Sequence, residues 1–106
     1  MPERDIRKAL KARVEAYGGE VRAVSWLGRR HAPDVLALLP AINAPCTIND
    51  RVFYGRKGAH PFIETKAPGG KPNAGQLREH ERMRAAGCTV LVISTIEQLD
   101  SWLPPL

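Results

Sequence analysis

The chain has 106 residues, one domain's worth, with surface enough for one hydrophobic core and none to spare for a second. No apolar run is long enough for a bilayer span or a signal peptide, which predicts an intracellular, cytoplasmic protein with no membrane attachment. Sixteen Lys and Arg against eleven Asp and Glu leave a net charge of +5, and the basic excess gathers at Arg29-Arg30-His31, Arg56-Lys57 and Lys71, in segments that read as loops open to a polyanion.

Residues 3–17 read as an amphipathic helix. Ile6, Leu10, Val14 and Tyr17 fall in one stripe at 3.6-residue periodicity, whereas Arg4, Lys8, Lys11 and Glu15 point away, and Gly18-Gly19 ends the run. Glu3 falls inside the stripe, although an acid in the first turn is also accounted for by the helix dipole. Glu20 to Trp26 alternates as a strand, with Val21, Val24 and Trp26. The basic loop Gly28 to Pro33 follows, and Asp34 opens the apolar run Val35 to Leu39. An Asp after Pro is a common turn former, so alone it marks no site.

Residues 40–60 carry turn signals at Pro40, Pro45, Asn49-Asp50 and Gly55 to Gly58 around the β-prone piece Arg51 to Tyr54, which predicts a hairpin or basic flap. Phe62-Ile63-Glu64-Thr65-Lys66 is then a strand whose alternation puts Glu64 and Lys66 on one face and Ile63 and Thr65 on the other. Pro61 and Ala67-Pro68-Gly69-Gly70 bound it, so the charged pair lies near a strand end, where ligand sites of mixed sheets form. Asn73 is a candidate N-cap for a helix to Ala86, closed by Gly87. Gln76, His80 and Met83 share a face of that helix, and propensity supports it better than amphipathicity does. Cys88 to Ile93 reads as a buried strand. Ser94-Thr95-Ile96-Glu97 has capping-box spacing and starts a last helix through Leu103, before Pro104-Pro105. Cys46 and Cys88 lack CxxC or Cys-His spacing and read as reduced thiols, while Trp26 and Trp102 read as core.

Three acids and a lysine stand out from this pass: Glu3, Asp34, Glu64 and Lys66. If the strand starting at Asp34 and the strand ending at Lys66 are neighbours, Asp34 and Glu64 converge, and adjacent carboxylates repel unless a proton or cation neutralises them. Hard oxygen ligands suit Mg2+ or Mn2+, and a lysine beside them can polarise an attacking water.

Pro33-Asp34, a gap, then Glu64-Thr65-Lys66 resembles the PD-(D/E)XK nuclease signature. Glu3 in the first helix, Gly28-Arg29 ahead of Pro33-Asp34, Gln76 opening the next helix and Ala86-Gly87-Cys88-Thr89-Val90 leading into a strand extend the likeness to the VRR-NUC branch, in its short stand-alone form. Only residues 40–60 fall outside it. The resemblance implies an α/β restriction-endonuclease-like fold, a mixed central sheet flanked by helices in an αβββαβ core, with 40–60 as a hairpin insertion. It implies a single nuclease domain, a homodimer, that hydrolyses DNA phosphodiesters with Mg2+ or Mn2+, at branched or flap structures such as Holliday junctions. Asp34 and Glu64 become metal ligands, joined by the Thr65 backbone carbonyl and by Glu3 as an outer or direct ligand. Lys66 becomes the catalytic lysine and Gln76 an active-site residue near it; Arg29, Arg30, His31, Arg56, Lys57 and Lys71 are left to bind DNA. The chain departs from the family in a longer Asp34-to-Glu64 gap and in His31, which stands where glycine is usual, two residues before Pro33-Asp34. That leaves open whether the loop backbone differs there or His31 itself contacts DNA. His80, beside a polar helix face, reads as a solvated histidine. Two rival readings are a catalytically silent nuclease-fold subunit that binds DNA with a partner, and a basic α/β protein in which Glu64 and Lys66 are a surface ion pair.

Overall fold

The computed structural model describes residues 2–40, 46–48, 51–53 and 58–105. Helix α1 (Glu3–Ala16) opens the chain, followed by strands β1 (Glu20–Ala23) and β2 (Val35–Leu38), the pair β3 (Cys46–Ile48) and β4 (Arg51–Phe53), strand β5 (Phe62–Thr65), helix α2 (Ala74–Ala85), strand β6 (Val90–Ile93) and helix α3 (Ile96–Trp102). This order matches the one read from periodicity, including the hairpin, whose two strands pair antiparallel. Arg56 and Lys57, named above as DNA contacts, lie outside the described residues, as does Tyr54.

The main sheet runs β1-β2-β5-β6. Its first two pairings are antiparallel and the last is parallel, with α2 as the crossover between β5 and β6. Side-chain alternation then divides the molecule into layers. Val35, Ala37, Leu39 and Ile63 face the stripe Ile6, Leu10, Val14 and Tyr17 of α1, with Leu99 and Leu103 of the α3 segment completing the buried cluster. Glu64 points to the opposite face and meets α2 through His80. Among the described residues no helix is long and apolar enough to cross a membrane.

Helix ends follow local chemistry. Gly18, at φ +83°, takes the left-handed position that stops α1, and the Gly19 N–H returns to the Val14 carbonyl. Asn73 caps α2 in a full capping box with Gln76. The last helix departs from expectation by one residue: Thr95, not Ser94, is its N-cap, accepting from the Gln98 N–H. Ser94 cannot cap because its own N–H and hydroxyl both donate to Gln98 Oε1. Strand β1 is also shorter than the alternation implies. Past Ala23 only the Val24 N–H still reaches β2, donating to the Asp34 carbonyl, and the chain then leaves the sheet.

Candidate active site

Antiparallel pairing of β2 with β5 matches Val35 to Ile63 and Leu36 to Phe62, so one step further along that register Asp34 lies opposite Glu64. The start of one strand thus meets the end of the other. Asp34 is fixed from behind: Pro33 is fully buried, its carbonyl accepts from Trp26 Nε1 at 2.7 Å, and Trp26 lies against Phe62 with ring centroids 5.4 Å apart. Trp26 therefore does more than fill the core, since it ties Pro33, next to Asp34, to Phe62 at the start of β5.

Helix α1 brings Glu3 and Arg7, one turn apart, to the same end of the sheet. Arg7 Nη2 donates to both Asp34 carboxylate oxygens at 2.9 Å, and Nε donates to Thr65 Oγ1 at 2.9 Å. The Thr65 hydroxyl in turn donates to Glu3 Oε1 at 3.1 Å. Thr65, fully buried on the α1 face, thus joins the site through its side chain, a role the alternation pattern did not assign it. Arg7 is not among the residues that the nuclease motif singles out. Its sequence signal was available in the i, i+4 spacing from Glu3, which places both on one helix face.

Glu64, on the other face, is buried, and its carboxyl is held above its ordinary range. Loss of hydration is the main cause, opposed by the Lys66 ammonium and reinforced by Asp34 and Glu3. That Asp34 and Glu3 are felt at Glu64 shows three carboxylates sharing one electrostatic neighbourhood, with Lys66 and Arg7 as cations beside them. Beneath Glu64 lies His80, with Nε2 3.4 Å from Glu64 Oε1. This corrects the reading of His80 as solvated: it is wholly buried, because α2 offers the sheet a polar rather than an apolar face. Burial foremost, together with the nearby Arg84, pushes the imidazole below its ordinary pKa. Nε2 faces the carboxylate, and Nδ1 has no hydrogen-bond partner among the described residues.

Gln76 is engaged in the α2 cap, its Oε1 accepting from the Asn73 N–H at 3.0 Å, and no hydrogen bond joins it to Lys66. Lys71 is exposed on the loop before α2. Arg29 lies half-exposed in the basic loop but donates to the buried Glu79 at 2.8 Å, a link that ties the loop to α2. His31 has φ +66°, the only non-glycine residue with positive φ among those described, and its ring packs on Gly75, where an added Cβ would lie 2.6 Å from Cδ2. The loop therefore keeps the backbone that a glycine would adopt, and the His31 ring lies against α2 where Gly75 leaves room for it. Loop and helix enclose a polar cleft of about 210 Å³ to which α2 adds Arg78 and Arg82 beside Arg29, Arg30 and His31.

Among the described residues, no three His, Cys, Asp or Glu side chains are close enough to grip one ion as they stand. The donor set nonetheless suits a hard divalent ion: Asp34 and Glu3 already converge on one cation, the Arg7 guanidinium, and Glu64 borders them.

No family model matches the sequence. The chain is 37% identical over 102 residues to "Putative nuclease p44" of Acyrthosiphon pisum secondary endosymbiont phage 1, spanning 96% of this chain and 91% of that protein. It superposes on a solved structure described as "VRR_NUC domain" with a TM-score of 0.71 at 38% identity, over 93% of this chain and 90% of the other.

Proposed function

The chain belongs to the VRR-NUC nuclease family and shares its PD-(D/E)XK-like fold, and from that premise we propose that it is a divalent-metal-dependent endonuclease acting on branched DNA. The observation that carries the proposal is the meeting of Asp34, Glu3 and Glu64 at one end of the sheet, with Lys66 two residues beyond Glu64 on the same strand face.

Asp34, Glu64 and Glu3 would hold Mg2+ or Mn2+, with the Thr65 carbonyl as a backbone ligand. When bound, such an ion supplies positive charge against the scissile phosphate and acidifies nearby water. Lys66 holds and orients the attacking water and partly offsets the burial that disfavours the ionised form of Glu64. His80 fixes the Glu64 carboxylate from below, in the way outer partners commonly orient ligating groups. The DNA backbone is gripped along the basic loop and α2, by Arg30, Arg78 and Arg82 at the cleft and by the exposed Lys71 of the loop before α2. Selectivity for four-way junctions or flaps, and action as a homodimer, rest on the family likeness.

The test is incubation of purified protein with a labelled four-way junction and with linear duplex, in Mg2+ and in EDTA, alongside Lys66→Ala. Junction cleavage that needs the metal and is lost in Lys66→Ala, with DNA binding retained, is the expected result. Binding without product under any metal sinks the enzyme reading in favour of a silent DNA-binding subunit. Equal cleavage of linear duplex rejects the structure selectivity, and a monomer in light scattering, with and without junction, rejects the dimer.

A further inference from the structure

Arg7 stands where the carboxylates of the site converge, and we propose that its guanidinium is the resident counter-cation of the metal-free site, which an incoming divalent ion must displace from Asp34. The inference rests on the metal-dependent reading above and adds a competing group within the same site.

A single planar group ties the cluster together: Nη2 takes both oxygens of Asp34, Nε takes the Thr65 hydroxyl, and that hydroxyl reaches Glu3. Glu3 Oε1 is itself 3.8 Å from Nη2. Asp34 therefore has its lone pairs facing Arg7 directed at a guanidinium and not at a common point with Glu64. This accounts for a ligand set that is gathered but not closed around one position. Without any cation the three carboxylates would repel, and Glu64 is already poorly solvated. A guanidinium stays charged at every working pH, so it keeps the acids assembled when no ion is present. Arg7 can also leave. Its side chain is 43% exposed, and between α1 and β1 runs a groove of about 350 Å³, lined by Lys11, Val21 and Ala23 as well as Arg7 and Asp34. Swinging into that groove frees both Asp34 oxygens while α1 and the sheet stay in place.

The test is Mn2+ titration by calorimetry on EDTA-stripped, dialysed protein: wild type, Arg7→Met, which keeps the apolar stem, and Arg7→Lys. Arg7→Met should bind Mn2+ on the order of tenfold more tightly, since one repelling charge and one competitor are removed from the site. The same variant should melt below wild type in EDTA, with the gap closing as Mn2+ saturates it. Arg7→Lys, which keeps the charge but cannot span Asp34 and Thr65, should fall between the two, and it decides the matter if Arg7→Met does not fold. Unchanged or weaker Mn2+ affinity in both folded variants, with wild type binding normally, overturns the displacement and leaves the metal reading standing. Absence of Mn2+ binding in wild type and variants alike overturns both.

Discussion

His80 Nε2 lies 3.4 Å from Glu64 Oε1, and the imidazole that makes this contact has no exposed surface at all. A polar ring buried under a polar helix face is explained by the carboxylate it orients. Replacing His80 with Ala leaves Glu64 buried without that partner and opens a cavity, which should destabilise the protein by about 1–3 kcal/mol in chemical denaturation. Divalent-ion affinity should fall by about 10–100-fold, as it does when outer partners of ligands are removed. His80→Gln, able to donate to the same oxygen, should recover part of the affinity. Equal Mn2+ affinity in all three proteins would remove His80 from the site.

Glu64 titrates above its ordinary 4.5, chiefly through burial, so its ionised form is disfavoured in the folded chain. Between 4.5 and the raised folded value the native state holds more protons than the unfolded state. The contribution of Glu64 to stability is therefore fully present below 4.5 and is lost as pH rises through the folded value. Measured in EDTA, Glu64→Gln should gain stability relative to wild type as pH goes from 4.5 to 7. A gap that stays flat or closes with rising pH would contradict the shift. Lys66→Met, which removes the cation that lowers this pKa, should move the same transition to higher pH.

Gly75 and His31 form a notch and its occupant. Gly75→Ala sets a Cβ 2.6 Å from the His31 ring, the far end of an exposed side chain, so the ring should be displaced at a cost of under about 1 kcal/mol. His31→Gly relieves a left-handed φ worth about 1–2 kcal/mol while giving up the ring's packing, so alone it should be close to neutral. In the double variant the clash disappears. A double-mutant cycle by denaturation should show coupling of at least about 0.5 kcal/mol, whereas additive effects would mean that the His31 ring does not rest on Gly75.

Arg29 and Arg78 sit in one cleft but do different work. Arg29 neutralises the buried Glu79, so Arg29→Ala should destabilise by about 1–3 kcal/mol, and Glu79→Gln should restore part of the loss. Arg78 and Arg82 are exposed on α2, but Arg82 also lies 3.8 Å from the buried Glu79, so replacing both with Ser should cost about 1 kcal/mol, most of it at Arg82. Their loss should also lower the slope of log affinity against log salt on duplex DNA by about 2. An unchanged slope would take the cleft out of the DNA path.

Element order was legible because it rests on local patterns: a 3.6-residue stripe from Ile6 to Tyr17, alternation in Phe62 to Lys66, and caps at Asn73 and Gly87. The pairing of Asp34 with Glu64 was visible only as a condition, that their strands be neighbours, and the motif supplied the reason to expect it. The final helix slipped by one residue because two serine-or-threonine cap candidates adjoin, and Gln98 chooses between them by bonding Ser94.

What the sequence determined by itself is the scaffold and the identities Asp34, Glu64 and Lys66, which depend on spacing along the chain. The environment of those groups was decided by tertiary structure alone. Arg7 and Thr65 are 58 residues apart, and His80 and Glu64 are 16 apart, and each pair takes its meaning from a contact made only when α1 and α2 close on opposite faces of the sheet. Burial, and with it the neutral imidazole and the raised carboxyl, belongs to the packed layers and to no local pattern. The seat of the His31 ring on Gly75, 44 positions further along the chain, is likewise a tertiary contact with no local signal.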